Sequence, residues 1–190
     1  MFSKEDWRMR WYSMVGIVVI LIVVFSGCGD ERMFNKKEHS NEAIADAQME
    51  KVLDSLESGD VKQLISLFAA NTISETVDMR ESLDMLFSYY KGNYISYNNW
   101  SATGSATTRE GNHIVKEIYG TYDVTTDVGV YRFAFLYVAE DSSTPNNIGI
   151  RSIYVINMAD DIDPQYAYRG DGLYTPGIHI GIPNNLPEEE

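Results

Sequence analysis

The chain of 190 residues has one cysteine, three histidines and five prolines, and 15 basic side chains stand against 28 acidic ones. A single cysteine excludes an intrachain disulfide, so the folded part relies on its own apolar core. The acidic excess, a formal net charge of −13, leaves no basic stripe for a phosphate backbone and argues against nucleic acid as a partner. There is no HExxH, no CxxC, no Ser-His-Asp motif and no phosphate-cradling glycine loop; no cofactor and no metal is expected. No apolar run reaches the roughly 20 residues that a spanning helix needs.

The longest apolar run, Met14 to Phe25, has 12 residues, inside the roughly 7–15 of a signal-peptide core. Before it, Lys4, Arg8 and Arg10 outnumber Glu5 and Asp6, so residues 1–27 carry a side-chain charge of +1 and the remainder −14. A positive start stays on the cytoplasmic side. Ser26-Gly27-Cys28 follow the run. This layout resembles a bacterial lipoprotein signal peptide with its lipobox, although Phe25 stands where the usual pattern has Leu. The resemblance implies cleavage between Gly27 and Cys28 and a thioether-linked diacylglycerol (palmitate-type chains) on Cys28. It implies a membrane partner through that lipid, and a place on the extracytoplasmic face of the cell membrane. Two or three acyl chains anchor stably where one alone is marginal. Two alternatives stand beside it: an uncleaved anchor that includes Trp11 and Tyr12, or Cys28 as a buried residue ending a spanning helix.

Residues 28–40 are polar, with no apolar period, and read as a tether after the lipid-attachment cysteine. Extended, it reaches roughly 40 Å at about 3.4 Å per residue. Residues 41–175 read as one α+β domain, and 176–190 as a C-terminal tail. Asn41 is a candidate N-cap for a first helix with apolar positions Ile44, Ala45, Met49, Val52, Leu53 and Leu56. Gly59 stops it. Asp60 with Gln63 forms a capping-box pattern for a second helix. A third is expected from Glu75 to Tyr90.

After Gly92 the period changes. Four strands are expected, over 94–107, 113–125, 130–139 and 148–158, joined by short turns and therefore antiparallel. Gly104 is a candidate bulge. Tyr131, Phe133, Phe135 and Tyr137 share one face of the third strand; Val130, Arg132, Ala134, Leu136 and Val138 share the other. Ile148, Ile150, Tyr154 and Ile156 are expected on one face of the fourth. Ile178, Ile180 and Ile182 suggest that the tail packs on the domain. Of 13 tyrosines, 12 follow residue 88, which suits half-buried sheet faces and pockets.

Helix, Gly-Asp turn, helix, helix and long curved strands resemble the NTF2-like (cystatin-related) α+β fold. Glu57-Ser58-Gly59-Asp60-Val61 is similar to the turn between the first two helices of such domains, with Leu67-Phe68 ending the second. Leu86-Phe87 to Tyr90-Lys91-Gly92 is similar to the third-helix end of a Gram-positive lipoprotein family built around a domain of unknown function. The resemblance implies three helices packed on a curved four-stranded antiparallel sheet. It does not imply an activity, because such folds host both enzymes and binding modules.

By likeness to NTF2-like enzymes, which place an acid and a tyrosine inside the cone, Tyr122, Asp123 and Tyr131 are the candidate ligand-binding residues. Arg132, a charge on a central strand, joins them as a candidate that pairs with a carboxylate or meets a ligand. His113 reads as a solvated strand-end residue, and Asp160-Asp161-Ile162-Asp163 with Asp171 as a solvated acidic loop lacking calcium-loop spacing. The expected function is a lipid-anchored extracytoplasmic binding or interaction module. The alternative is a small hydrolase or isomerase using a Tyr/Asp pair. A homodimer through the open sheet face is a third possibility.

Overall fold

The computed structural model describes residues 29–160 and 174–181, with the side chains of 29–39 left aside. The expected signal segment 1–27, Cys28, the acidic positions Asp161, Asp163 and Asp171, and the tail beyond Gly181 lie outside the described residues. The chain divides into two units, residues 1–40 and 41–190. No helix among the described residues is long and apolar enough to cross a membrane.

The first helix, α1, runs Gly29–Ser58. The expected tether and the Asn41 N-cap are therefore corrected: Asn41 lies inside a continuous helix. Residues 30–58 contain neither glycine nor proline, and Glu, Arg and Lys favour helix even without an apolar face. Three further helices follow: α2 (Val61–Ser66), α3 (Ala70–Glu75) and α4 (Met79–Tyr89). Asp60 caps α2 by accepting the Gln63 backbone N–H at 2.9 Å. The single helix expected over 75–90 is interrupted because Asp78 takes a left-handed conformation, φ 59°, which no continuous helix accommodates.

The described residues contain one six-stranded sheet: β1 (Tyr94–Asn99), β2 (Gly104–Glu110), β3 (His113–Thr126), β4 (Val130–Asp141), β5 (Gly149–Asn157) and β6 (Gly177–Ile180). The order is β1-β3-β4-β5-β6, and β2 also pairs with β3. Four strands thus become six. The long first strand splits at residues 100–103, so Gly104 opens β2 opposite Tyr119 and makes no bulge. The β1 irregularity lies between Tyr94 and Ser96 instead. The tail supplies β6, which pairs parallel with β5.

The first pair of faces expected for β4 holds, because alternation needs only an unbroken strand. The β5 reading needs correction. Leu136 pairs with Ser152, but Tyr137 pairs with Ile150, leaving Arg151 as an extra residue. That bulge shifts the phase by one. Ile150 therefore joins Ile153 and Val155 in the core, apart from Tyr154 and Ile156.

The core lies between the helices and the inner sheet face. Ala45, Met49, Val52, Leu53 and Leu56 of α1, Leu64 of α2 and Leu83 and Leu86 of α4 meet Tyr122, Tyr131, Phe133 and Phe135. Each large apolar side chain so buried contributes about 1.5–3 kcal/mol relative to exposure. Gly120 belongs to this packing: a Cβ there would sit 2.7 Å from a Tyr122 ring carbon and 2.8 Å from Phe135 Cζ. Those two rings stack at 5.9 Å with 6° between planes.

Candidate functional site

β3 and β4 run antiparallel with Tyr122 opposite Phe133, Asp123 opposite Arg132 and Val124 opposite Tyr131. Alternation therefore divides the four candidate residues. Tyr122 and Tyr131 enter the core, whereas Asp123 and Arg132 occupy the other face. They do not form one site.

On the inner face, Tyr122 is wholly buried and its hydroxyl donates to Asp46 Oδ1 at 2.8 Å. Burial, then the Asp46 carboxylate, pushes this hydroxyl far above its ordinary ionisation range. It is a donor and not a base. One helical turn along α1, Glu50 accepts from Tyr97 at 3.2 Å. Burial, followed by the Glu50 charge, pushes Tyr97 up to about 12. Tyr131 takes a different role: its hydroxyl accepts the Lys91 backbone N–H at 3.0 Å, and its ring meets Tyr89 and Tyr90 at 5.9 and 5.2 Å. It closes the end of α4. Asp46 escaped sequence reasoning; its only signal was a carboxylate beside Ala45 in an otherwise apolar stripe.

On the outer face, Arg132 donates through Nε to Asp123 Oδ1 at 2.7 Å and through Nη2 to Oδ2 at 2.9 Å. The Arg132 side chain is 5% exposed, and its guanidinium carbon lies 4.4 Å from the Trp100 ring centroid. Two-point carboxylate binding and a stacked aromatic face use the full guanidinium geometry. Asp123, three residues before the end of β3, is the cross-strand partner of Arg132.

His113 also has a partner that its sequence neighbours did not reveal. It meets Asp141 at 3.0 Å. Asp141 is nearly buried and also accepts from the Ser143 and Thr144 backbone and from Asn147 Nδ2. The Asn147 and Thr144 bonds hold its carboxyl well below the usual carboxylate range. This arrangement organises the β4–β5 loop. No cluster of three or more potential metal ligands occurs among the described residues, and Asp160 accepts a Tyr89 hydroxyl bond at 3.1 Å.

A groove of about 390 Å³ opens where β1 ends and β2 begins along β3, lined by Ser101, Ala102, Gly104, Ser105, Tyr119, Thr121 and Tyr174. β1 pairs with β3 from Tyr122 onward and β2 up to Tyr119, so the connection 100–103 leaves the sheet and creates the gap. The Trp100 N–H returns to the Thr121 carbonyl at 2.8 Å and fixes the connection. Across the rim, the Tyr119 and Tyr174 rings meet at 5.1 Å.

No curated protein matches the chain. A family model described as a domain of unknown function, DUF5104, matches residues 51–158, the span from the second half of α1 to the end of β5; the chain belongs to the DUF5104 family.

Proposed function

We propose that the chain is a lipid-anchored, extracytoplasmic binding module with an NTF2-like domain. The address rests on the sequence around Cys28: a charged start, a 12-residue apolar run and Ser26-Gly27 before the only cysteine. Helices laid against one face of a mostly antiparallel sheet favour the NTF2-like reading. The choice of binding over catalysis is carried by one observation. Tyr122, Phe133 and Phe135, all nearly inaccessible, fill the space where an NTF2-like enzyme would keep its cavity.

Acyl labelling of wild type against Cys28→Ala tests the anchor. Label confined to wild type is the expected result, and equal label in both removes the lipoprotein reading. Self-association belongs to this reading as well, and a monomer at every concentration in sedimentation would end that part.

The Tyr122–Asp46 bond favours a second reading, a small hydrolase or isomerase built on a Tyr/Asp pair, with Asp46 in the place foreseen for Asp123. Turnover of a chromogenic ester or glycoside by wild type, lost in Tyr122→Phe, supports it. Absence of turnover across such a panel counts against it.

A further inference from the structure

We propose that the groove at the β1–β2 break binds a neutral saccharide. This deepens the binding-module reading and rests on it. Five of the seven lining residues carry a hydroxyl: Ser101, Ser105, Tyr119, Thr121 and Tyr174. A hydroxyl can both donate and accept, which matches a polyol whose own groups do the same; Tyr119, its proton given to Glu117, offers an acceptor, and Ser105, accepting from Asn41, keeps its donor. An anion would need cationic or donor-only groups, and among the described residues no lysine or arginine lines the groove. A charge stands beside it: the Glu117 carboxylate accepts the Tyr119 hydroxyl at 2.7 Å. That bond holds the Tyr119 ring and repels an anionic ligand. Its volume lies in the roughly 300–1,000 Å³ range of small-molecule sites, while its lining is too polar for an apolar ligand.

Two further observations point to a ligand. Asn41 is 5% exposed. Its Nδ2 donates to the Ser105 hydroxyl on the groove wall at 2.9 Å, while its Oδ1 is buried with no hydrogen-bond partner. Asn99, which precedes the groove connection, repeats the pattern: Nδ2 donates to Thr103 Oγ1 at 3.1 Å and Oδ1 is buried and unpaired. Unpaired buried carboxamide oxygens are uncommon in a native fold, and Asn41 touches the groove wall through Ser105. Tyr174 supplies the second observation. Its φ is +54°, a conformation that a bulky side chain adopts only when its surroundings hold it there. The strain places an aromatic ring on the rim beside Tyr119, where its apolar face can meet the C–H face of a sugar ring.

The test is calorimetric titration of the full chain, in a detergent without a sugar headgroup, with glucose, maltotetraose, cellotetraose and the tetramer of N-acetylglucosamine. Saturable binding of at least one sugar is expected, weakened about tenfold in Tyr174→Ala and in the less intrusive pair Ser101→Ala with Thr121→Val. Circular dichroism confirms that each variant folds. Preference for a tetramer identifies a polymer segment as the ligand, and equal binding of glucose identifies a free sugar. No binding by wild type at about 10 mM overturns the proposal, as does binding that both sets of folded variants leave unchanged. Neither failure alters the Cys28 labelling result, so the anchor reading stands or falls separately.

Discussion

Arg132 of β4 and Asp123 of β3 face each other across the sheet and close a two-point ion pair, Nε–Oδ1 2.7 Å and Nη2–Oδ2 2.9 Å. Trp100 covers the guanidinium at 4.4 Å, so a charge buried on a central strand meets both a carboxylate and an aromatic ring.

Asp123→Ala removes both bonds while the guanidinium stays in its buried place. The expected loss is about 2–3 kcal/mol, below the full cost of breaking a wholly buried pair because Asp123 is partly exposed. Urea unfolding measures it. A double-mutant cycle with Arg132→Met should show coupling above about 1 kcal/mol; simple additivity would sink the assignment.

Gly149 stands where β5 clasps the α2–α3 connection: Ile150 N–H donates to the Leu67 carbonyl and Ala69 N–H to the Ile150 carbonyl. A Cβ on Gly149 would lie 2.6 Å from the Ala69 backbone nitrogen, and its φ is +135°. Gly149→Ala therefore meets backbone that cannot yield and should cost about 2–4 kcal/mol. At Gly129 the nearest atoms are 4.0 Å away, so Gly129→Ala should stay within about 0.5 kcal/mol. Equal denaturation midpoints for the two variants would contradict this packing.

Asp141 supplies a pH dependence with a definite sign. Its folded carboxyl ionises below the ordinary 3.8 because Asn147, the Thr144 backbone and His113 bind the anion. A depressed folded value stabilises at every pH above the unfolded value, and the contribution fades as pH falls through the folded one. Acid unfolding of wild type should therefore steepen below about pH 4. Asp141→Asn should be less stable at neutral pH and flatter in that window; an unchanged acid limb would refute the assignment.

The buried and half-buried tyrosines set the alkaline limit. Burial raises Tyr89, Tyr90, Tyr97, Tyr119 and Tyr122 above their ordinary 10.0. Neutral phenols are favoured in the fold, so the contribution is complete below pH 10 and is lost as pH rises through the folded values. Tyrosinate absorbance should show a group of hydroxyls that ionises only as circular dichroism reports unfolding. A single titration near pH 10 with the fold intact would be incompatible with this.

Helices before sheet, the aromatic inner face of β4 and the Asp60 cap were legible because each depends on local period or a three-residue contact. The α1 extension was not legible: residues 29–40 are polar, and helix propensity without an apolar stripe reads like a tether. The Ile150 assignment failed for a different reason. One extra residue, Arg151, inverts every later face, and nothing in the composition of Gly149–Asn157 marks it. Of the candidate residues, Arg132 was expected either to pair with a carboxylate or to meet a ligand, and its partner Asp123 emerged only from the β3–β4 register.

The sequence alone determined the acidic charge, the lone cysteine behind an apolar run, and which residues of β4 share a face. These follow from composition and from the two-residue period of a strand. Tertiary structure decided the partners. Asp46 with Tyr122, Asn41 with Ser105 and Asp141 with His113 are 76, 64 and 28 residues apart. A period names the face a side chain occupies, but only the strand register, the bulges and the helix placement decide what stands opposite it.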